Sequence, residues 1–322
     1  MRRSFTVGFD LGGTKLAAAL VDERGRVVAY GRDRIANEKF LPTPKVGYKA
    51  VLSRMVRFAQ EFRDGFPSAF LRGSFLGFGL ASAGPLNAET GMLLDAVHLK
   101  PWGRAPIRRD LEAALRKEKF QGPVMFQNDA IAASLAEGWV GGAKRLRTWA
   151  TVTLGTGVGT GVIFQGCPLQ TAGMGSEFGH LIADLSRIGN PATDLMKHTV
   201  EGIASGTGIL RRAREQGFAG LSVEELVETI QGGESRWLKL FDEAADAWAA
   251  LFFNLSVGLH VEKILVGGGL LAVKSLYWDR MVSRYNDLIR SWNPAFLAKV
   301  SPARVGERAA VVGAAYLPRG VP

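Results

Sequence analysis

Cysteine is almost missing from this sequence: Cys167 stands alone among 322 residues. One thiol cannot close an intramolecular disulfide, and it cannot supply a zinc centre built from several thiolates. Long hydrophobic runs are missing as well. The longest apolar stretch, AWAALFFNLSVGL from Ala247 to Leu259, follows Asp242, Glu243 and Asp246; it is too short to span a bilayer and is expected to form a buried helix. The opening MRRSFTVGFDLGGT carries two arginines but no extended apolar region before Asp10. A secretory leader is therefore not expected, and a cytoplasmic location without a membrane partner is. Runs of a single charge are absent too. The net charge of +10 admits an anionic partner. The arginines, however, fall in short groups (Arg108-Arg109, Arg145 to Arg147, Arg211-Arg212) among acidic residues, with no basic run and no helix-turn-helix pattern. That distribution weighs against nucleic acid.

What is present is ordinary globular material, 47% hydrophobic and 22% charged, in a chain longer than one hydrophobic core usually serves, so two domains are expected. Phe5 to Asp10, Lys15 to Val21 and Arg26 to Tyr30 read as strands joined by Gly12-Gly13 and by Asp22 to Gly25, a three-strand antiparallel meander. Val51, Met55, Phe58 and Phe62 recur at helical spacing, as do Ile107, Leu111 and Leu115. Ser74 to Leu80 and Pro123 to Phe126 are compact apolar strands. From Trp149 the pattern begins again: strand ATVTL, glycine turn GTGVG, strand TGVIF. This weak repetition points to two domains of similar topology with a ligand between them. Leu238, Phe241, Ala245, Trp248 and Leu255 mark an amphipathic helix ahead of the strand Ile264 to Val266 and Gly267-Gly268-Gly269.

Several constellations can carry chemistry. In Asp10-Leu11-Gly12-Gly13-Thr14, glycine lets backbone amides approach an anion, and the neighbouring carboxylate can hold a hydrated magnesium ion, as a polyphosphate requires. An ordinary hairpin would read the same way. Gly155, Gly157, Gly159 and Gly161 alternate between apolar strands; such a weakened strand is better explained by close approach of a ligand, a second phosphate loop. Neither loop has Walker A spacing, and the second does not satisfy Gly-x-Gly-x-x-Gly. Asp129 lies between a strand and an alanine-rich helix, Ala130 to Trp139. It could cap that helix, or it could take the proton from an attacking hydroxyl. Glu177, His180 and Glu201 add polar groups able to bind several hydroxyls, although such residues are also common on solvated loops.

In order along almost the whole chain, DLGGTK at Asp10, NDAIAA at Asn128, TLGTGVGTG at Thr153, GSEFGH at Gly175, EGIASGTG at Glu201, VGGG at Val266 and VGAA at Val312 resemble the motifs of the ROK family (repressor, open reading frame, kinase). The resemblance implies an α/β fold of two actin-like, ribonuclease-H-like domains closing over sugar and ATP in an intervening active-site cleft. On this reading the first domain covers about residues 1–123, joined by a C-terminal helix at about 309–322, and the second about 124–308. It implies magnesium-dependent transfer of the ATP γ-phosphate to a hexose. Glucose, giving glucose 6-phosphate, is the first expectation, with an N-acetylhexosamine, fructose or mannose as other acceptors. Asp129 becomes the catalytic base. Asp10, Gly12, Gly13, Thr14 and Lys15, with Gly155, Thr156 and Gly157, are assigned to the ATP phosphates, the magnesium lying near Asp10. Gly267, Gly268 and Gly269 are assigned to the adenosine side, and Gly84, His98, Asn128, Asp129, Glu177, His180 and Glu201 to the sugar. A homodimer is expected. The family also includes sugar-sensing regulators, which carry a DNA-binding segment ahead of the kinase-like part; here the phosphate strand begins at Phe5, so the enzyme is expected instead.

The chain departs from the family pattern in two places. His98-Leu99-Lys100-Pro101-Trp102 stands where relatives usually have Asn-Leu before a Trp segment, so imidazole replaces an amide contact to the sugar. The Cys-x-Cys-Gly-x-x-Gly-Cys cluster that follows Gly-His in many relatives is missing, since Leu181 to Pro191 contains no cysteine. No structural zinc is expected. Packing of Leu181, Ile182, Leu185, Ile188 and Leu195 beneath this loop is expected in its place, rather than an oxygen and nitrogen site from His180, Asp184, Asp194 and His198.

Overall fold

In the strand Phe5–Leu11 (β1), Val7, Phe9 and Leu11 are buried on one face while Gly8 and Asp10 fall on the other, because successive residues of a strand point to opposite sides. A computed structural model describes residues 3–35, 38–175, 177–190 and 194–320 of the chain. In it β1 pairs antiparallel with Lys15–Asp22 (β2), which pairs antiparallel with Val27–Arg34 (β3). The meander is as expected, its third strand running on to Arg34. On its other side β1 lies parallel to Phe75–Ser82 (β4), and β4 lies parallel to Val124–Asn128 (β5). The strand order is therefore β3-β2-β1-β4-β5.

One face of this sheet receives two helices. Pro44–Gly65 (α1) begins at Thr43, whose hydroxyl accepts from the Val46 N–H, and buries Val51, Met55, Phe58 and Phe62. Ile107–Lys117 (α2) buries Ile107, Leu111 and Leu115. These side chains share one core cluster with Val7, Phe9, Phe78 and Leu80. The opposite face meets the C-terminal helix Ala309–Tyr316 almost without side chains. A Cβ at Gly8 would overlap the Val311 carbonyl oxygen, and one at Gly79 would overlap that of Ala314. The helix Asp129–Trp139 (α3) joins the same seam, where a Cβ at Gly313 would overlap the Ala132 carbonyl oxygen. Ala81, Ala132 and Ala314 fill what remains. The VGAA motif at Val312 therefore serves close backbone packing.

The second unit repeats the plan. Trp149–Leu154 (β6) pairs antiparallel with Val158–Phe164 (β7) and parallel with Lys263–Gly267 (β8), which is parallel to Lys299–Pro302 (β9). The order β7-β6-β8-β9 reproduces β2-β1-β4-β5. Its helices are Val200–Ala204 (α4), Gly206–Glu215 (α5), Val223–Gln231 (α6), Leu238–Leu259 (α7) and Trp278–Trp292 (α8). The apolar stretch at Ala247 lies in α7, where Phe241, Ala245, Trp248 and Leu255 are buried. No helix among the described residues is long and apolar enough to cross a membrane.

The division between the units differs from the one read in the sequence. One unit comprises Met1–Arg145, Gly166–Gly175 and Arg308–Pro322, the other Leu146–Gln165 and Ser176–Glu307. Residues 124–145 belong with the first because β5 completes its sheet, Phe78 to Ser82 standing in register with Val124 to Asn128.

The seam yields a direct test. Gly79→Ala should destabilise the protein by roughly 1–3 kcal/mol, because its methyl group meets backbone that cannot step aside. Gly65→Ala, where an added Cβ meets nothing within 4 Å, should be neutral or slightly stabilising. Thermal unfolding of the two variants side by side checks this; equal melting temperatures would contradict the packing described.

Candidate active site

In each unit, the residues singled out in the sequence gather at the carboxyl ends of parallel strands, where α/β sheets commonly bind ligands. In the first unit, Asp10 stands at the end of β1 and the following turn closes with a Gly12 N–H bond to the Lys15 carbonyl of 3.0 Å. A Cβ at Gly12 would meet nothing nearer than that oxygen, at 3.5 Å. The fold does not demand glycine here; a bare backbone open to an anion is what the residue provides. Gly13 differs, since a Cβ there would lie 2.8 Å from the His98 Cβ. Thr14 and Lys15 are exposed beside it. His98 belongs to the short 3₁₀ segment Val97–Trp102, and the Val97 N–H donates to the Gly84 carbonyl at 3.3 Å. Gly13, Gly84 and His98 are thus neighbours.

At the end of β5 the structure gives two adjacent residues different places. Asn128 is the helix cap: its Oδ1 accepts from the Ala130 and Ile131 N–H groups at 2.9 and 3.2 Å. Asp129 is the first helical residue, its Oδ1 accepting from the Ala130 N–H at 2.8 Å. The capping role open to Asp129 belongs to its neighbour, and only Asn128's Nδ2 end lies outside the cap. Burial, opposed by the Ala130 N–H and by His98, raises the pKa of Asp129. Asp10 is pushed up to about 7, first by burial and then by the charge of Asp129, with Arg32 opposing. Two desolvated carboxylates that repel one another stand ready for a proton or a cation.

In the second unit the corresponding turn is Gly155-Thr156-Gly157 between β6 and β7. A Cβ at Gly155 meets nothing within 4 Å, and the same holds at Gly269, whereas one at Gly268 (φ +94°) would overlap the Leu154 carbonyl. Gly268 is thus required by the fold, while Gly155 and Gly269 leave backbone uncovered. Gly267 ends β8 beside Thr153. The remaining motifs converge on this turn. Gly206 N–H donates to the Gly155 carbonyl at 2.8 Å, and Phe178 N–H donates to the Thr160 hydroxyl at 3.0 Å. Glu201, on α4, turns one carboxylate oxygen to the Val158 N–H at 2.8 Å and the other toward His180 Nδ1 at 4.0 Å. Glu177 and His180 are exposed; Ser176 of the same motif lies outside the described residues.

The loop after His180 is held otherwise than expected. Leu185 is 70% exposed, and Ile182, Ile188 and Leu195 are exposed too, so they form no packed layer beneath it. Polar pins do that work instead. His198 Nδ1 and Asp184 Oδ2 lie 2.9 Å apart, the N–H groups of Ala183 and Asp184 both donate to the His198 carbonyl, and Val200 N–H donates to that of Leu181. Asp184 and Asp194 also accept from the backbone of their own turns. Asp184 and His198 are thereby engaged with each other, while His180 faces Glu201. Among the described residues no group of three or more His, Cys, Asp or Glu is placed to hold a metal ion.

Lys39 escaped the sequence reading. It is buried, and its ammonium donates to the Gly13 carbonyl and, at 2.7 Å, to that of His98. Nothing local marks it, since these partners lie 26 and 59 residues away.

Two sheets of the same strand order, each with a glycine turn after its first strand, define the actin-like, ribonuclease-H-like class. The ROK family model matches residues 6–320, and the chain belongs to the ROK family. It is 28% identical to a glucokinase of Streptomyces coelicolor over 98% of this chain and 97% of that one. It is 27% identical to an N-acetyl-D-glucosamine kinase of Vibrio atlanticus, covering 96% and 98%. Among solved structures it resembles a ROK hexokinase from Thermus thermophilus, with a TM-score of 0.79, 27% identity and 97% of each chain covered.

The raised pKa of Asp10 has a consequence for stability. Because the folded state binds this proton more tightly than the unfolded state, the stabilisation is fully present below about pH 3.8 and is lost as pH rises through about 7. The ligand-free protein should lose stability across that window, and Asp10→Asn should flatten the decline. Denaturant midpoints measured from pH 4 to 8 check this; identical profiles for the two proteins would contradict the burial and repulsion described.

Proposed function

We propose that this chain is an ATP-dependent hexose kinase acting on glucose at its 6-hydroxyl, with Asp129 as the base. The observation that carries the reading is the division of labour at the β5–α3 junction: Asn128 caps the helix, while Asp129, bonded through Oδ1 to the Ala130 N–H, keeps a carboxylate whose pKa burial raises. The kinase names of its relatives support the reaction class. In the proposed step the sugar hydroxyl oxygen forms a bond to the γ-phosphorus, its proton passes to Asp129, and the bond to the bridging oxygen of ADP breaks. The turns Gly12 to Thr14, with Lys15, and Gly155 to Gly157 bind phosphate oxygens, the backbone being uncovered at Gly12 and Gly155. Gly267 to Gly269 border the adenosine. Asp10, desolvated and pressed by the charge of Asp129 more than it is relieved by Arg32, fits a magnesium ion carried by ATP, which supplies neutralisation of phosphate charge.

Glu177, His180 and Glu201, with Asn128 Nδ2, His98 and Gly84, are proposed to hold the sugar hydroxyls. A second acceptor, N-acetylglucosamine, is favoured by the relative of that name and by the imidazole of His98, which changes the hydrogen-bond pattern offered to the sugar.

Asp129→Asn should preserve folding and ATP binding while lowering turnover by roughly 10²- to 10⁴-fold, since an amide cannot accept the proton. Full activity in this variant would sink the assignment. We further propose that the protein needs no zinc, because the hydrogen bonds of the 181–200 loop supply the anchoring a metal would give. Purified protein dialysed against a zinc-selective chelator should hold well under one zinc per chain and regain activity with magnesium alone; stoichiometric zinc required for folding would refute this.

A further inference from the structure

An ammonium group taken out of water needs acceptors around it. Lys39, only 6% exposed, finds them in the backbone: the Gly13 carbonyl in the turn after β1 and, at 2.7 Å, the His98 carbonyl. Its own carbonyl accepts the indole N–H of Trp102 at 2.8 Å, and its ammonium stands 4.9 Å from the centre of the Phe40 ring. Trp102 in turn meets Phe40 and Tyr48 edge-on. Three stretches far apart in sequence are therefore joined at one side chain. The two turns it bridges are also in contact, the place of a Gly13 Cβ being 2.8 Å from the Cβ of His98.

We propose that Lys39 is a positioning residue for phosphoryl transfer, locking the phosphate-binding turn and the sugar-side His98 turn of the first unit into one rigid support. The role rests on the kinase reading above. Two physical effects follow from the contacts. A fixed ammonium restrains both turns, so that ordering them is not left to the moment of binding. It also polarises the Gly13 peptide, the one that carries the Thr14 N–H, and a polarised amide is a stronger donor to a phosphate oxygen. Charge-assisted bonds to two carbonyls suit this better than a neutral side chain would.

Hydrogen exchange by mass spectrometry on the ligand-free protein, paired with steady-state kinetics, tests the proposal. In Lys39→Met, amides in residues 11–15 and 97–102 should both exchange roughly 10- to 100-fold faster than in the wild type, while the α1 and α2 cores do not change. KM for ATP should rise by a similar factor and the ranking of sugars should shift. Lys39→Arg, which keeps a cationic donor, should recover much of the protection. If Lys39→Met fails to fold, Lys39→Gln, which keeps a donor without the charge, is read in the same way. A lower melting temperature with unchanged exchange and unchanged KM for ATP would make Lys39 a stability residue only and overturn the proposal. So would loosening confined to one of the two turns. Should the wild type phosphorylate no sugar, the kinase reading fails, and the exchange data alone still decide whether the two turns are coupled.

Discussion

The first unit depends on a seam from which side chains have been removed. Gly8 on β1, Gly79 on β4 and Gly313 on the C-terminal helix each let one backbone lie against another where a single methyl group would collide. Because α3 leans on that same helix, the seam fixes where α3 begins, and hence where Asp129 stands relative to the end of β1. Asp10 lies two residues beyond Gly8 on the same face of its strand. The position of the two carboxylates is therefore a packing result before it is a chemical one. A chain so closely packed has little freedom to relax, which keeps the pair near enough for each to feel the other's charge.

Electrostatics and uncovered backbone then divide the chemistry between the units. The first holds negative charge in a desolvated setting; the second offers a turn whose amides are oriented by its own hydrogen bonds, with Glu201 tied to it through Val158. A residue proposed to hold sugar is thus also bonded next to the Gly155–Gly157 turn, so changes at Glu201 should not be read as loss of a sugar contact alone. At Asn128, likewise, one end of the amide caps a helix and the other lies outside the cap.

Much of this was legible in the sequence because it is local. Helical spacing in α1, α2 and α7 and the glycine-broken strand pairs mark their own structure, and the repeated strand order was visible as a repeated pattern. What escaped is non-local or decided by geometry. The place of β5 in the first sheet depends on parallel pairing with β4, which no nearby residue announces. Asn128 and Asp129 are equally good caps by type, and what separates them is the extended backbone of Asn128 and its second bond, to the Ile131 N–H. In the 181–198 loop, apolar residues looked like a buried layer, but Asp184, Asp194 and His198 satisfy the backbone locally and leave Leu185 and Ile188 at the surface. Lys39 looked like any solvated lysine because both its acceptors are remote.

The most direct test of the central claim is a coupled assay of ADP release with magnesium and ATP, run against glucose, N-acetylglucosamine, N-acetylmannosamine, mannose and fructose. The account predicts that ADP forms in step with a sugar phosphate, fastest with glucose, and that release without sugar is slow. Sugar binding without any sugar-dependent ADP release would contradict it and leave a sugar-sensing protein in its place.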